Sequence, residues 1–380
     1  MEVVILKTVF WIIGGLFACI GIAIGIVFWI FQKDLNKDNP HYVLQFLKEN
    51  KDNEQVSLAI HYNQQNWVEM NTKKPLPLAS TVKIIVAIEY AQQAAEGRIN
   101  SQQLVSLEDL QTFYIPKTDG GAHEAWLKQL KQDNKIENNF VSLNEVANGM
   151  IAYSSNANTE FLMELLGLEN INKVLEQLNL MDHEPLYPIV SSLYIPTQFM
   201  KEKGLTKKET LTAMKAMDMT EYRERALSIH EAWLKKPLSN EEKKKSLQTL
   251  DMDFQKVWSD RLIRATTADY ITILEKLNHK NYFNEDVHKY LDPVMEQLMQ
   301  NPKNQKWLLH GGQKGGSTAF VLTLAAYTED KDGNQTEIAF FANNLNRIEQ
   351  TKLSKNMNSF QLKFLTDEKF RLHVQKELSP

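Results

Sequence analysis

A serine and a lysine stand three residues apart at Ser80 and Lys83, at the start of a stretch with a long apolar helical face. Residues at this spacing share a helix face, so the Lys83 amine can approach the Ser80 hydroxyl. The helix N-terminus adds backbone donors for a developing oxyanion. A lysine that is desolvated near another cation can lose its proton and act as a base. The pair therefore predicts a nucleophilic serine.

Taken alone, this pair is equally compatible with an N-cap serine followed by a surface lysine. Two further motifs change the balance. Ser154-Ser155-Asn156 falls between two helical segments, and Lys314-Gly315-Gly316 opens an apolar strand. These motifs add a second hydroxyl, an amide and a second cation.

The ordered trio Ser-x-x-Lys, Ser-x-Asn and Lys-x-Gly resembles the signature of the class A β-lactamases and other penicillin-recognising serine hydrolases. The resemblance covers residues from about 42 to 347. It implies an α/β (α+β) fold in which an antiparallel sheet, built from both ends of the domain, packs against a mainly helical layer. It also implies a cofactor-free acyl-enzyme on Ser80, formed with β-lactams or acyl-D-Ala-D-Ala-like cell-wall peptides.

The same resemblance assigns roles to the other motif residues. Lys83 would serve as the acylation base or relay to it, and Ser154 would pass a proton to the departing nitrogen. Asn156 would hydrogen-bond the amide side chain of the substrate. Lys314 would hold the substrate carboxylate and lower the pKa of the nearby amine.

The third motif also supplies the expected oxyanion hole, formed by the backbone N–H groups of Ser80 and Ser317, with Gly316 beside them. Two positions depart from the family pattern. Ser155 replaces a usual aspartate that braces the loop. Gly315 replaces a usual threonine or serine and so lacks a hydroxyl for the substrate carboxylate.

Deacylation is the least certain step of the implied reaction. A class A β-lactamase activates water with a glutamate on the loop after the middle motif. Glu184 stands near that point, but the Leu-Asn that usually follows is missing. Glu184 is therefore interpreted equally as a deacylating base or as a loop surface residue, and His183 is expected to be structural.

These residues leave several functions open. The leading hypothesis is a β-lactamase-like hydrolase, and a D-alanyl-D-alanine carboxypeptidase is the close alternative because the Leu-Asn is missing. A non-catalytic descendant that binds cell-wall peptides or a partner protein is the third. A glutaminase shares the Ser/Lys pair but fits poorly with an N-terminal membrane anchor.

Alternating or apolar runs predict strands at both ends of the domain, over 55–62, 67–70, 319–328 and 337–343. Between them, residues from about 201 to 264 are charged and helical in pattern, with Ser239 and Glu242 spaced as a capping box. This stretch is expected to be an insertion near the mouth of the active site, and a helical elaboration of the surface is favoured over a partner-binding module.

The first residues differ from the rest in composition. The stretch from Thr8 to Phe31 has no charged residue, and as a helix of about 36 Å it could cross a membrane. We predict a transmembrane anchor over 1–33, a linker over 34–41 and a hydrolase domain over 42–380. Cys19, the single cysteine, is expected to lie in the membrane. Because the implied substrates lie outside the cell, the domain is expected on the extracytoplasmic face of a bacterial cytoplasmic membrane.

The overall charge argues against other function classes. The chain carries 43 basic and 47 acidic residues for a net charge of −4, so no basic excess indicates nucleic-acid binding. The nine histidines are scattered without a zinc-ligand spacing, so no metal is expected.

Overall fold

A computed structural model describes residues 38–379 and contains a five-stranded antiparallel sheet with the strand order β2-β1-β9-β8-β7. The sheet strands are β1 Val56–Tyr62, β2 Gln65–Met70, β7 Leu308–Ser317, β8 Leu322–Asp330 and β9 Gln335–Ala342. Two short pairs complete the strands: β3 Leu76–Pro77 with β6 Arg264–Ala265, and β4 Leu104–Ser106 with β5 Phe140–Ser142.

The centre of the sheet joins the two ends of the domain. Strand β1 pairs with β9, with Leu58 opposite Phe340, and β9 pairs with β8. Successive residues of β8 point to opposite faces, so Leu324 lies in one apolar core and Ala325 in the other. The prediction of an antiparallel sheet built from both ends is confirmed.

Helices cover both faces of this sheet. They are α1 Pro40–Glu49, α2 Lys83–Ala95, α3 Leu107–Thr112, α4 Ala122–Gln132, α5 Leu143–Asn148, α6 Asn156–Leu166, α7 Leu168–Gln177, α8 Ile189–Ser192, α9 Ile195–Lys203, α10 Lys207–Ala216, α11 Met219–Lys235, α12 Asn240–Thr249, α13 Met252–Asp260, α14 Thr267–Asn278, α15 Glu285–Met295, α16 Arg347–Thr366 and α17 Glu368–Leu378. Helices α1, α16 and α17 pack on one face, and the larger helical layer around α2 packs on the other.

Helix α2 is the central helix of the larger layer. Every residue from Lys83 to Ala91 is buried, so this helix is apolar all round, as expected of a helix enclosed by other helices. The exceptions in chemistry are its first residue, Lys83, and Glu89. The burial of a lysine at this point places a titratable amine inside the protein, close to the preceding serine.

The charged stretch around 201–264 folds as helices α10 to α13 with the end of α9. The predicted cap is present, because the Ser239 hydroxyl and the Glu242 carboxylate bond each other's backbone N–H groups. Thr206 and Glu209 form a second capping box. Phe254 and Val257 on α13 bury their side chains in the large core, so these helices are part of the domain's packing.

The predicted transmembrane segment lies outside the described residues. Within 38–379, no helix combines the length and the apolar character needed to cross a bilayer.

Candidate functional site

The serine of the first motif lies on a tight turn at the head of α2. A 3₁₀-helix covers Ala79–Val82, and Ala79 has a φ of 46°, in the left-handed region that residues with a Cβ rarely adopt. Such backbone strain persists where surrounding structure enforces it. The turn leaves Ser80 partly exposed, while Val82 and Lys83 beyond it are buried.

The side chain of Lys83 extends from α2 to the middle motif. Its Nζ donates to the Ser154 carbonyl oxygen at 2.6 Å and to Asn156 Oδ1 at 2.8 Å. It also lies 3.3 Å from the Ser154 hydroxyl. The two shorter bonds occupy both N–H groups of a neutral amine, which leaves its lone pair free to accept a proton.

The second lysine approaches the same hydroxyl from the sheet. Lys314 on β7 is buried, and its Nζ donates to Ser154 Oγ at 3.0 Å and to the Gly315 carbonyl oxygen at 2.8 Å. The Ser154 hydroxyl is therefore contacted by two lysines, Lys83 and Lys314, and the three side chains come from separate elements.

The electrostatics of these lysines follow from their burial. Desolvation lowers the pKa of Lys83 well below its ordinary value, and the nearby Lys314 charge lowers it further, against a smaller opposing effect of Asp119. Desolvation also lowers the pKa of Lys314 to about 7. One neutral amine and one ammonium can therefore share the Ser154 hydroxyl near neutral pH, which gives a base and a cation in the same site.

Ser154 has its position because of an irregular helix end. A π-helix over Gly149–Tyr153 stops at Ser154, whose φ of 71° turns the chain into α6. Gly149 permits this packing, since a Cβ there would lie 2.6 Å from the Trp126 ring nitrogen. Wide helical turns of this kind often occur at functional sites.

Ser155 has a bracing role instead of a place in the cavity. It is fully buried and caps α6 by accepting from the Asn158 backbone N–H at 3.3 Å. Its hydroxyl donates to Asn158 Oδ1, so it accepts from the buried His123 Nδ1 at 2.9 Å. Ser155 with His123 thus holds the loop where the family uses an aspartate.

The edge strand β7 closes the cavity beside the nucleophile. A Cβ on Gly316 would lie 2.6 Å from the backbone nitrogen of Ser80 and 2.7 Å from the Leu78 carbonyl oxygen. The buried Thr323 hydroxyl lies 2.8 Å from that carbonyl and 2.6 Å from the Thr81 hydroxyl. The absent side chain of Gly316 therefore lets β7 approach the Ser80 turn, and Ser317 follows at the exposed end of the strand.

Glu184 is not brought to this site. Its carboxylate forms an ion pair with Arg223 Nη2 at 3.1 Å and accepts from the Arg264 backbone N–H at 3.3 Å. Glu184 does not line the cavity that contains Ser80. The interpretation as a structural loop residue is therefore the one that this geometry favours.

His183 is structural in its surroundings, as expected. It is buried, its Nδ1 lies 2.7 Å from the Glu184 carbonyl oxygen, and burial lowers its pKa to about 4.

Of the described residues that line the cavity, Asp119 alone carries a carboxylate. Its two oxygens accept from the backbone N–H groups of Gly121 and His123 at 3.2 and 3.1 Å, so it caps the start of α4.

Residues of all three motifs line one cavity of about 690 Å³, and the buried Lys314 contacts it through its bond to the Ser154 hydroxyl. Sequence reasoning missed part of its lining, because the contributing side chains carry no chemical motif. The lining includes Ser80, Lys83, Ser154, Asn156, Gly315, Gly316 and Ser317 together with Lys117, Thr118, Asp119, Ile189, Leu193, Leu247, Leu250, Trp258 and Leu262. Within 38–379 no group of His, Cys, Asp or Glu side chains is arranged to hold a metal ion.

Known structures share this arrangement of elements. The TLA-3 extended-spectrum beta-lactamase superposes with a TM-score of 0.50 at 13% identity, over 85% of this chain and 97% of that one. Beta-lactamases from Chitinophaga pinensis and Bacteroides cellulosilyticus give TM-scores of 0.49 and 0.48, each at 14% identity. They cover 86% and 90% of this chain and 99% and 98% of their own. A search of curated proteins finds no match.

The sequence itself matches the model of the Beta-lactamase enzyme family over residues 42–312. The matched region contains the Ser80 turn, the Ser154 loop and the insertion, and it ends two residues before Lys314. Since the match covers more than half of the chain, this protein belongs to the beta-lactamase enzyme family of serine hydrolases.

Proposed function

We propose that the protein forms an acyl-enzyme on Ser80 with β-lactams or with acyl-D-Ala-D-Ala-like cell-wall peptides. The observation that carries this proposal is the convergence of Lys83 and Lys314 on the Ser154 hydroxyl, at 3.3 and 3.0 Å, in the cavity that Ser80 lines. A buried amine of lowered pKa beside a serine on a helix N-terminus meets the requirements for nucleophilic activation.

Acylation begins with the Ser80 hydroxyl. Its oxygen attacks the substrate carbonyl carbon while its proton moves to the lone pair of neutral Lys83, which forms the C–O bond and an oxyanion. The backbone N–H groups of Ser80 and Ser317 stabilise that oxyanion. When the C–N bond breaks, the Ser154 hydroxyl protonates the leaving nitrogen, and the Lys83 ammonium returns a proton to Ser154.

Substrate binding uses the second cation and the amide. Lys314 attracts the carboxylate that both β-lactams and D-alanine carry, and Asn156 hydrogen-bonds the substrate amide. In hydrolysis of the acyl-enzyme, water attacks the same carbonyl and gives a proton to Lys83. Lys83 then returns that proton to the Ser80 oxygen as the acyl C–O bond breaks and the carboxylic acid product leaves. No glutamate assists this step in our proposal, because Arg223 and the Arg264 backbone hold Glu184.

That engagement of Glu184 favours the second candidate, a D-alanyl-D-alanine carboxypeptidase-type cell-wall peptidase. Such an enzyme shares the acylation step and hydrolyses β-lactams slowly. A third possibility, a non-catalytic member of the fold that binds cell-wall peptides, predicts binding without turnover.

Parallel turnover assays separate these functions. Purified full-length protein and its Ser80→Ala variant are incubated with a chromogenic β-lactam and with an N-acyl-D-Ala-D-Ala peptide. Release of D-alanine together with slow β-lactam turnover supports the peptidase, and rapid β-lactam hydrolysis supports a β-lactamase. Activity that persists in Ser80→Ala would overturn the proposal.

We further propose that the Thr8–Phe31 segment anchors the domain on the outer face of the cytoplasmic membrane, where the substrates lie. The support is the uncharged composition of that segment and the chemistry of the substrates. Protease added to intact protoplasts should remove the domain. Protection of the domain until the membrane is opened would contradict this topology.

A further inference from the structure

The insertion is fixed to the catalytic elements through its last helix. Trp258 on α13 donates from its ring nitrogen to the Ser192 hydroxyl at 3.0 Å, and the fully buried Ser259 donates to the Thr318 hydroxyl at 2.9 Å. Thr318 directly follows Ser317. These bonds hold α13 at a defined place beside the end of β7.

A third bond fixes the preceding helix. The buried Lys243 on α12 donates from Nζ to the Gln111 carbonyl oxygen at 2.6 Å, at the end of α3. Two helices of the insertion are therefore attached to the domain at separate points, and both contribute to the cavity wall.

The surface that these helices present to the cavity is mainly apolar, with Gln255 and Ser259 as its polar residues. Leu247, Leu250 and Trp258 are partly exposed, and all three line the cavity. The buried side chains of Ile189 and Leu193 continue the same wall from α8. Among the insertion residues that line the cavity, none carries a charge.

A polar part of the lining holds the chemistry. It contains Ser80, Lys83, Ser154 and Asn156. A substrate in this cavity therefore meets two environments. Its carboxylate-bearing leaving half is drawn to Lys314, so the apolar wall is left to the acyl half of the molecule.

From this division we propose that the insertion supplies a subsite for an apolar acyl group, with Leu247, Leu250 and Trp258 as its specificity-determining residues. The preferred substrates carry an aromatic or aliphatic group on the acyl side of the reacting carbonyl. The inference rests on the proposed function for its choice of substrate class. Burial of apolar surface in a preformed wall provides the affinity.

The test measures binding without chemistry. The full-length Ser80→Ala protein in lipid nanodiscs is titrated calorimetrically with phenylacetyl-D-Ala-D-Ala and with acetyl-D-Ala-D-Ala, with empty nanodiscs as the blank. We expect the phenylacetyl peptide to bind at least about tenfold more tightly, since each buried methylene-sized group adds several-fold.

Variants of the wall and a matched control locate the effect. Leu247→Asp and Leu250→Asp should reduce the preference to less than about twofold, and the milder Leu250→Ala should reduce it partly. Leu234→Asp makes the same change at an exposed residue of α11 outside the cavity and should leave the preference intact. Melting curves verify that each variant is folded.

Equal binding of the two peptides, absence of binding by both, or a preference that survives in the folded Leu247→Asp and Leu250→Asp variants would overturn the subsite. These outcomes are independent of the acyl-enzyme itself. Penicillin labelling of Ser80 in the unsubstituted protein tests the proposed function, so either idea can fail while the other stands.

Discussion

Two buried lysines around one serine hydroxyl set the chemistry of this site. Lys83 and Lys314 are both almost inaccessible to solvent, and both lie within hydrogen-bonding distance of Ser154 Oγ. Two adjacent ammonium groups in a desolvated site are unfavourable, so one amine gives up its proton. Burial and the Lys314 charge both lower the pKa of Lys83, which lies on the helix of the nucleophile.

The burial of Lys314 beside Lys83 should lower the stability of the protein. The Lys314→Met variant tests this expectation. The pKa of Lys314 is about 7 in the folded protein against an ordinary 10.5. The unfolded state therefore binds more protons between these values, and the lysine destabilises the protein as the pH falls from about 10.5 to 7. Lys314→Met should raise the free energy of unfolding at pH 7 by about 1–3 kcal/mol and lose acylation.

Urea denaturation at pH 7 and pH 10 measures the effect, and the gain should be smaller at pH 10. The exposed Lys306→Met serves as the control and should show no pH-dependent gain. A Lys314→Met variant that is less stable than the native protein at pH 7 would contradict the argument.

Adjacent glycines on β7 give a second prediction. A Cβ on Gly316 would collide with the Ser80 backbone nitrogen at 2.6 Å, whereas a Cβ on Gly315 has its nearest neighbour at 3.6 Å. Gly316→Ala should slow acylation by about 100-fold or more because it displaces an oxyanion donor. Gly315→Ala should change the rate by less than about threefold. Stopped-flow acylation with a fluorescent penicillin measures both, and equal rates for the two variants would count against the close approach of β7.

At the residue scale, the family resemblance predicted that Ser80, Lys83, Ser154, Asn156 and Lys314 share one site. In the structure Lys83 bonds Asn156 and Lys314 bonds the Ser154 hydroxyl, and Ser80 lines the same cavity as Lys83 and Ser154. The role of Glu184 could not be predicted in this way. Its partner Arg223 lies in an insertion with no motif to fix its position, so only the tertiary structure shows where that carboxylate points.

At the scale of elements, the insertion forms ion pairs with the loop that carries Glu184 and with α6. Helix α11 brings Arg223 to Glu184 and His230 to Glu160 and Glu164 on α6. Glu160 also accepts from the backbone N–H groups of Val190 and Ser191 at the start of α8, at 2.6 and 2.9 Å. A single carboxylate thus connects the motif helix, the cavity wall and the insertion.

If this description of the loop is correct, Glu184→Gln should leave the lifetime of the acyl-enzyme within about threefold of the native value. It should lower the stability by less than about 1 kcal/mol, because the ion pair with Arg223 is partly exposed. The Arg223→Gln variant removes the other partner of this ion pair and should have the same small effects on the acyl-enzyme lifetime and on stability. The lifetime is followed by intact-mass spectrometry after a penicillin pulse. A tenfold longer lifetime in Glu184→Gln alone would instead identify Glu184 as a deacylating base.

His230 on α11 makes the contribution of the insertion to the free energy of unfolding dependent on pH. Burial works against the charged form of His230, but hydrogen bonds and charges from Glu160 and Glu164 outweigh it and raise the pKa. A raised pKa adds stability that is complete below the ordinary value of 6.5 and is lost as the pH rises through the folded-state value. His230→Gln should therefore cost at least about 1 kcal/mol at pH 6 and less at pH 9.

Guanidinium denaturation of both proteins at the two pH values measures this difference. His373→Gln, at an exposed position on α17, controls for the loss of a histidine as such. A loss of stability that is larger at pH 9 than at pH 6 would show that His230 is not held as a cation.

Element boundaries in the insertion were predictable where capping residues mark them, as at Ser239 with Glu242. Its place near the mouth of the active site was expected, but the contacts that orient it were not predictable, because they come from a tryptophan and a buried serine without a periodic signal. Trp258 and Ser259 find their partners, Ser192 and Thr318, far along the chain. Such contacts depend on packing and not on local propensity.

At the scale of the whole molecule, the fold brings both ends of the domain into one sheet and places the cavity at the edge of that sheet. The pairing of β1 with β9 joins residues from 56 to 62 with residues from 336 to 342. Alternating and apolar runs predicted these strands, and the prediction that both ends of the domain share one antiparallel sheet is confirmed. The cavity joins an edge strand, a helix N-terminus and an inserted wall, so its chemistry depends on the complete domain.

The central claim is that Ser80 is the nucleophile of an acyl-enzyme. Full-length protein is mixed with a penicillin, and the product is followed by intact-mass spectrometry and peptide mapping. Ser80→Ala removes the proposed nucleophile, and Ser155→Ala changes a neighbouring motif serine as the control. We expect a single adduct with the mass of the whole drug, located on Ser80, absent from Ser80→Ala and retained in folded Ser155→Ala. An adduct on another residue, or none on the folded native protein, would contradict it.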